Sequence, residues 1–305
     1  MENVTTINPQ FDWLTVRKDE QANQAELTTT YAITDEMYRY ATDPAERARV
    51  ERDMEANTGL IVFNALTDDS VDSATAPIGL LIKDNHLLTF FAPETNYLGE
   101  YVLAPSSALR MPAKSDLQPM DAAISLMYRA TSAYLDRINQ IDQKRIKVQR
   151  SLKANPQHSA VDELMDLETR LVYYLSSLRA NTAMLQELQR LPVVPLNDAQ
   201  KEHLDDILIE SKQGLEMAQM ASDIAERVSS SYANRLDSNL NNTMKLLTAY
   251  SVILTMPSIV SGFFGQNTGV PFQNSTWGWQ ISIGITAILG YIAYRLLRRA
   301  HLFDR

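Results

Sequence analysis

The sequence predicts an α+β membrane protein: an N-terminal α/β domain, then a long helical stalk continuous with the first of two C-terminal transmembrane helices. Three observations carry this expectation. No charged residue occurs in the 19 positions from Leu246 to Phe264, nor from Gly265 to Tyr294, and about 20 apolar residues suffice to cross a hydrocarbon core of ~30 Å. Short, partly β-branched apolar runs are confined to the first third of the chain. From Pro119 onward the apolar residues recur instead at helical spacing.

Composition bounds the function. The 305 residues are 45% hydrophobic, with 28 basic and 37 acidic side chains and a formal net charge of −9, an average typical of a soluble acidic protein. That average hides a charge-free tail behind a water-soluble body of roughly 240 residues. Cysteine is absent, which excludes a disulfide framework, a thiolate metal site and a catalytic thiol. The acidic excess argues against a nucleic-acid partner, which needs clustered Lys and Arg, and suits a protein that concentrates cations. MENVTTINPQFDW has no basic stretch leading into an apolar run, so no cleavable signal is expected. There is no P-loop and no G-x-S-x-G. His86, His158, His203 and His301 lie in four separate segments, without zinc-ligand spacing, and read as structural or surface residues.

Along the first domain, 1–118, segments 17–29 and 33–42 read as helices. LIVFNAL (60–66), PIGLLI (77–82) and HLLTFFA (86–92) read as strands, the last two joined as a hairpin through KDNH. DDSVDSATAP (68–77) reads as a polar loop. The helical region, 119–243, opens with two antiparallel helices over 119–153 and 158–190, separated at NPQH. Its charge-rich stretch DRINQIDQKRIKVQR (136–150) reads as a solvated helix face. LPVVPLND (191–198) ends the second helix and offers Asn197 or Asp198 as N-cap of a third. That third helix meets no proline until Pro257, so 198–263 is expected to be one helix of ~100 Å, running from the body into the bilayer as transmembrane helix 244–264.

Residues 265–276 are polar and turn-forming, too few to cross a membrane, and form a loop. A second span, 277–297, opens with Trp277 and Trp279, fitting an interfacial aromatic belt, and is followed by a basic tail, 298–305. Arg295, Arg298, Arg299 and Arg305 follow this span, and Arg235 and Lys245 precede the first, whereas the loop is uncharged. The positive-inside rule then puts both termini in the cytoplasm of a multi-pass inner-membrane protein and the loop outside.

One face of the first span is distinctive. At alternating spacings of three and four it reads Asn241, Met244, Thr248, Ser251, Thr255, Ser258, Gly262 and Gly265, all small or polar except Met244. A repeat near 3.5 keeps one seam facing a common axis. Close packing of helices in lipid produces the same composition; the other reading is a water-filled pathway lined by this helix from several symmetric subunits. Two spans cannot enclose a pathway alone, so that reading requires self-association.

At these residues the chain resembles the CorA-type family of divalent metal-ion transporters. The resemblance lies mainly in NNTMKLLTAYSVILTMPSIVSGFFGQN (241–267), the short loop and the second span with its basic end; DPAERARV (43–50) and PIGLLIKDNHLLTF (77–90) extend it over the body. It implies a funnel-shaped homopentamer whose first spans line the pore and whose second spans face lipid. The family's Gly-Met-Asn signature is here Gly265-Gln266-Asn267. The resemblance assigns Asn267 the supply of amide oxygens to a hydrated cation, a role suited to an acceptor that leaves metal-bound water in place. Gln266 departs from the family pattern, and the loop lacks the acidic residue often found after the motif. The resemblance also implies regulatory metal bound between subunits, with Asp206 and its neighbour Asp205 facing Asp68 and Asp69. Asp237, one heptad before Met244, is expected to form an acidic ring at the inner mouth, and Met244 with Leu247 a hydrophobic gate.

The expected function is therefore passage of a divalent cation, magnesium or a transition metal such as cobalt, nickel or zinc, through a symmetric pore, with no enzymatic activity and no prosthetic group. The expected partners are further copies of the chain, membrane lipid and the metal ions. Two alternatives stay open: proton-coupled zinc transport of the ZntB kind, and a non-conducting membrane scaffold.

Overall fold

The computed structural model describes residues 3–9, 11–17, 24–68, 74–101, 109, 111–154, 158–266, 268–272 and 274–300. The chain divides into two compact units, Met1–Val228 and Ser229–Arg305.

The first unit contains a six-stranded sheet, β1 (Asn3–Asn8), β2 (Phe11–Arg17), β3 (Arg49–Asp53), β4 (Thr58–Leu66), β5 (Thr75–Lys83) and β6 (His86–Phe91), in the order β1-β2-β6-β5-β4-β3. All neighbours are antiparallel except β2 and β6. Helices α1 (Gln24–Tyr31) and α2 (Asp35–Thr42) supply Leu27, Met37 and Ala41, and the link between them Ile33, to a core with Leu14, Val16, Leu60, Val62, Leu81 and Leu88. The alternate residues Phe11, Ile61, Phe63, Ile78, Leu80 and Leu87 face α3 (Pro119–Ala154), α4 (His158–Arg190) and the start of α5 (Asp198–Phe264). Both faces of β4 and β5 are covered, which is why these strands read as continuous apolar runs and not as alternating ones.

Three expectations change here. The segment expected as a helix over 17–29 divides: Arg17 closes β2, and α1 runs Gln24–Tyr31. The loop expected over 68–77 yields its end to β5, which starts at Thr75. Strands β1, β2 and β3 were not anticipated; β3 is an edge strand of sequence RVERD, and charges that protect an open edge erase the apolar signature of a strand. The hairpin through KDNH forms as expected, with Lys83 opposite His86 and Asp84 at φ 48°.

The helices are tied by specific contacts. Asn197 caps α5 reciprocally: its Oδ1 accepts from the Gln200 N–H at 2.8 Å, and Gln200 Oε1 accepts from the Asn197 N–H at 3.1 Å. Gln200 Nε2 donates to Asp121 Oδ1 at 2.8 Å, while Asp121 Oδ2 accepts from the Gln118 N–H at the start of α3. Val193 packs so closely on β4 that a Cβ at Gly59 would meet it at 2.4 Å, so only glycine fits. The stretch expected as a solvated face is partly internal: Arg145 is buried, paired with Asp142 at 2.7 Å and bonded to Gln149.

The sheet meets the long helices at Asn64. Pairing of β3 with β4 ends at Val62, which leaves the Asn64 backbone beyond its neighbour strand. Buried Asn181 of α4 takes the strand's place, accepting from the Asn64 N–H at 2.9 Å and donating to its carbonyl at 2.8 Å. The Tyr134 hydroxyl also donates to that carbonyl, at 3.1 Å. Asn181→Leu is expected to destabilise the body by about 2 kcal/mol, the penalty of a buried unpaired amide. Denaturation of the purified protein and faster hydrogen exchange at Asn64 would register it.

The same junction makes stability pH-dependent. Burial pushes the Tyr97 hydroxyl up to about 12 from 10.0, and burial raises that of Tyr134. The unfolded chain releases these protons first, so their contribution is complete below the unfolded value and is lost as pH rises through the folded one. The slope in that window is about 1.4 kcal/mol per pH unit for each tyrosine. Melting temperatures should fall steeply above about pH 10, and less steeply for Tyr97→Phe.

Candidate functional site

The second unit holds the end of α5, a loop, and α6 (Gly278–Arg299). Both helices are long and apolar enough to cross a membrane, and only 11% and 6% of their most apolar windows are buried. That exposure separates them from core helices of a soluble fold, whose apolar surface is covered.

The α5 seam is exposed at every expected position: Asn241, Met244, Thr248, Ser251, Thr255, Ser258, Gly262 and Gly265. Leu247, between Met244 and Thr248 in sequence, is also exposed. The buried Ala249 and Val260, with Ile253, Met256 and Phe264 among the partly buried residues, lie half a turn away. Among the described residues α6 is the only other helix of this unit, and its one buried position is Ala293. The polar seam thus lies on the side of α5 opposite its covered residues. Thr255 Oγ1 donates to the Ser251 carbonyl at 2.6 Å, which leaves its lone pairs outward as acceptors.

At the outer end Gly265 donates its N–H to the Ser261 carbonyl at 2.8 Å. A Cβ there would approach that oxygen to 2.9 Å, so the close backbone contact explains the glycine. Gln266 is exposed, and Asn267 lies outside the described residues. Phe272, at φ 65°, accepts from the Ser275 N–H, and Ser275 accepts from the Gly278 N–H, so two tight turns lead into α6. Trp277 and Trp279 are exposed at its start, and Arg298 and Arg299 occupy its last turn.

The acidic residues expected at a regulatory site are not brought together within the chain. Asp205 Oδ1 accepts from Gln189 Nε2 at 2.6 Å on the surface of the body. Asp206 is exposed, Asp69 lies outside the described residues, and Asp68 borders a pocket with Arg137. Asp237 is exposed on α5. Among the described residues no group of three His, Cys, Asp or Glu side chains could hold a metal ion. His86 Nε2 lies 3.7 Å from Asp12 Oδ2, His203 is buried, and His301 lies outside the described residues.

A sheet covered on both faces by helices and two C-terminal helices uncovered along their apolar length make the architecture of a membrane protein, and the family match makes it one of the divalent-cation transporter class. The chain belongs to the family of CorA-like Mg2+ transporter proteins, whose model matches residues 8–299, and members of that family are transporters and not enzymes. It is 22% identical over 287 residues to the cobalt/magnesium transport protein CorA of Methanocaldococcus jannaschii, covering 93% of this chain and 88% of that one. The complete structure of the CorA magnesium transporter from the same organism superposes with a TM-score of 0.79 at 20% identity, over 98% of this chain and 93% of the other. The full-length CmaX protein gives 0.75 at 16% identity, over 97% and 91%. The cytoplasmic domain of ZntB from Vibrio parahaemolyticus gives 0.58 at 9% identity, over 77% and 91%.

Proposed function

We propose that the chain assembles as a homopentamer in the inner membrane and passes a divalent cation down its electrochemical gradient through a pore lined by α5. The observation that carries this reading is the uncovered polar seam, opposite the covered face of the helix. Helix packing within one chain would place the seam's hydroxyls and glycines on the covered face, and they are exposed. Hydroxyl, amide and backbone oxygens along the seam suit a cation that keeps its water.

In this reading Gly265, Gln266 and Asn267 form the outer filter. Met244 with Leu247 forms an apolar constriction that closes by dewetting. Asp237 supplies a ring of carboxylates at the inner mouth. Both termini are cytoplasmic, supported by Arg295, Arg298 and Arg299 at the end of α6 and by the uncharged loop. Magnesium and cobalt are the leading ions, since they appear in the names of the relatives matched over most of the chain. Gln266 in place of methionine favours a second reading, proton-coupled zinc transport.

Flux into proteoliposomes, with magnesium, cobalt, nickel and zinc each tested with and without a pH gradient, decides between them. Uptake that needs no pH gradient supports the passive pore; uptake of zinc driven by one supports proton coupling; no flux of any ion overturns both. Met244→Ala should raise leak several-fold, and unchanged conductance would remove Met244 as the gate. Asn267→Ala should lower divalent uptake or selectivity, and normal uptake of all four ions would remove it from the filter.

A further inference from the structure

The last turns of α6 are cationic. From Ser238 to Ala300 the sequence holds Lys245, Arg295, Arg298 and Arg299 and no carboxylate. All three arginines are exposed, and among the described residues none of them pairs with an acid. The Arg295 guanidinium carbon lies 6.0 Å from the centre of the Tyr291 ring, one turn back, within reach of a cation–π contact. At about 100° per residue, Gly284, Ile288, Tyr291 and Arg295 fall on one face of the helix, and Arg298 and Arg299 flank its end. Ala293, the one buried position of α6 among the described residues, lies on the opposite side. The face itself is open: Gly284 and Ile288 are exposed, and a Cβ at Gly284 would meet no atom within 4 Å.

We propose that this face of α6 binds an anionic phospholipid, its headgroup phosphate held by Arg295, Arg298 and Arg299 and an acyl chain lying along Tyr291, Ile288 and Gly284. The positive-inside rule accounts for the side of the membrane on which the arginines sit, but any cation satisfies it. A planar guanidinium also presents paired N–H donors that fit a phosphate. The apolar track beneath these cations matches a molecule that is anionic at one end and hydrocarbon at the other. A second copy of the same face is a poor occupant, since it would bring three more guanidiniums against these three. A lipid with a neutral headgroup brings no net charge to offset them. The inference rests on α6 spanning the bilayer and names the class of lipid beside it. It does not depend on conduction, so an absence of ion flux would leave it standing.

The full-length protein in dodecyl maltoside is mixed with equal amounts of phosphatidylglycerol and phosphatidylcholine of the same acyl chains and repurified, and the bound lipid is extracted and counted by headgroup. Phosphatidylglycerol should be enriched, and the enrichment should fall about fivefold for Arg298→Gln, the share of one basic residue at an anionic surface. Arg295→Gln, Arg298→Gln and Arg299→Gln together should bring the ratio close to one. Lysine at all three positions, which keeps the charge and the insertion signal, should keep most of the enrichment. Arg235→Gln, on α5 and outside this face, should leave the ratio unchanged. Equal retention of the two lipids by the wild type overturns the proposal. So does an enrichment that survives the triple glutamine change, or one that Arg235→Gln lowers as much as Arg298→Gln. Release of the lipid by inorganic phosphate at constant ionic strength also overturns it, marking a site for free anions. If the triple glutamine protein does not insert, Arg298→Gln beside the lysine variant still decides it.

Discussion

Within hydrocarbon an unpaired backbone N–H or C=O costs several kcal/mol, so a spanning segment must satisfy these groups within itself. Helix α5 meets this by running from Asp198 to Phe264 without a break. Its one proline, Pro257, removes a single N–H from the ladder, and the helix continues through it. Where regularity ends, Gly265 extends the hydrogen-bond pattern by one residue before the chain turns. The helical pattern ends where the uncharged loop begins.

The same helix is also part of the soluble core, where the demands are different. Leu204 and Ile207 near its start pack under the sheet, and Ala218, Ala221 and Ala225 pack farther on against the α3–α4 hairpin. Alanines permit close approach of helices, and polar contacts then fix register: Thr182 and Ser211 hydroxyls meet at 2.8 Å between α4 and α5. Asn181 plays the corresponding part for the sheet, replacing an absent strand at Asn64. One chain thus carries two kinds of burial. The body covers apolar faces with protein, whereas the last helices leave theirs for lipid.

How much could be read beforehand follows from which signals are local. The long helices were legible because apolar spacing, the NPQH break and the Asn197 cap are all properties of neighbouring residues. The spans were legible from the absence of charge. The hairpin at Asp84 was legible from its turn residues. Strands β1, β2 and β3 were not, because a strand's identity rests on its partner: RVERD forms only because β4 offers it an edge. The 136–150 stretch misled for a related reason. Charge predicts solvation on average, but Arg145 finds Asp142 one turn away, and a buried paired guanidinium looks identical in sequence to a free one.

The seam was legible in composition, but its meaning depended on a neighbour that composition does not contain. Small and hydroxylated residues in a membrane helix serve either close packing or a polar path, and the residue types are the same in both. What distinguishes the two is what the seam faces. The covered residues of α5 in this unit include Ala249 and Val260, with Ile253 and Met256 between them. The polar residues occupy the opposite side and are exposed in the single chain. In the proposed assembly a ring of copies would give that side both water and further copies of the same helix.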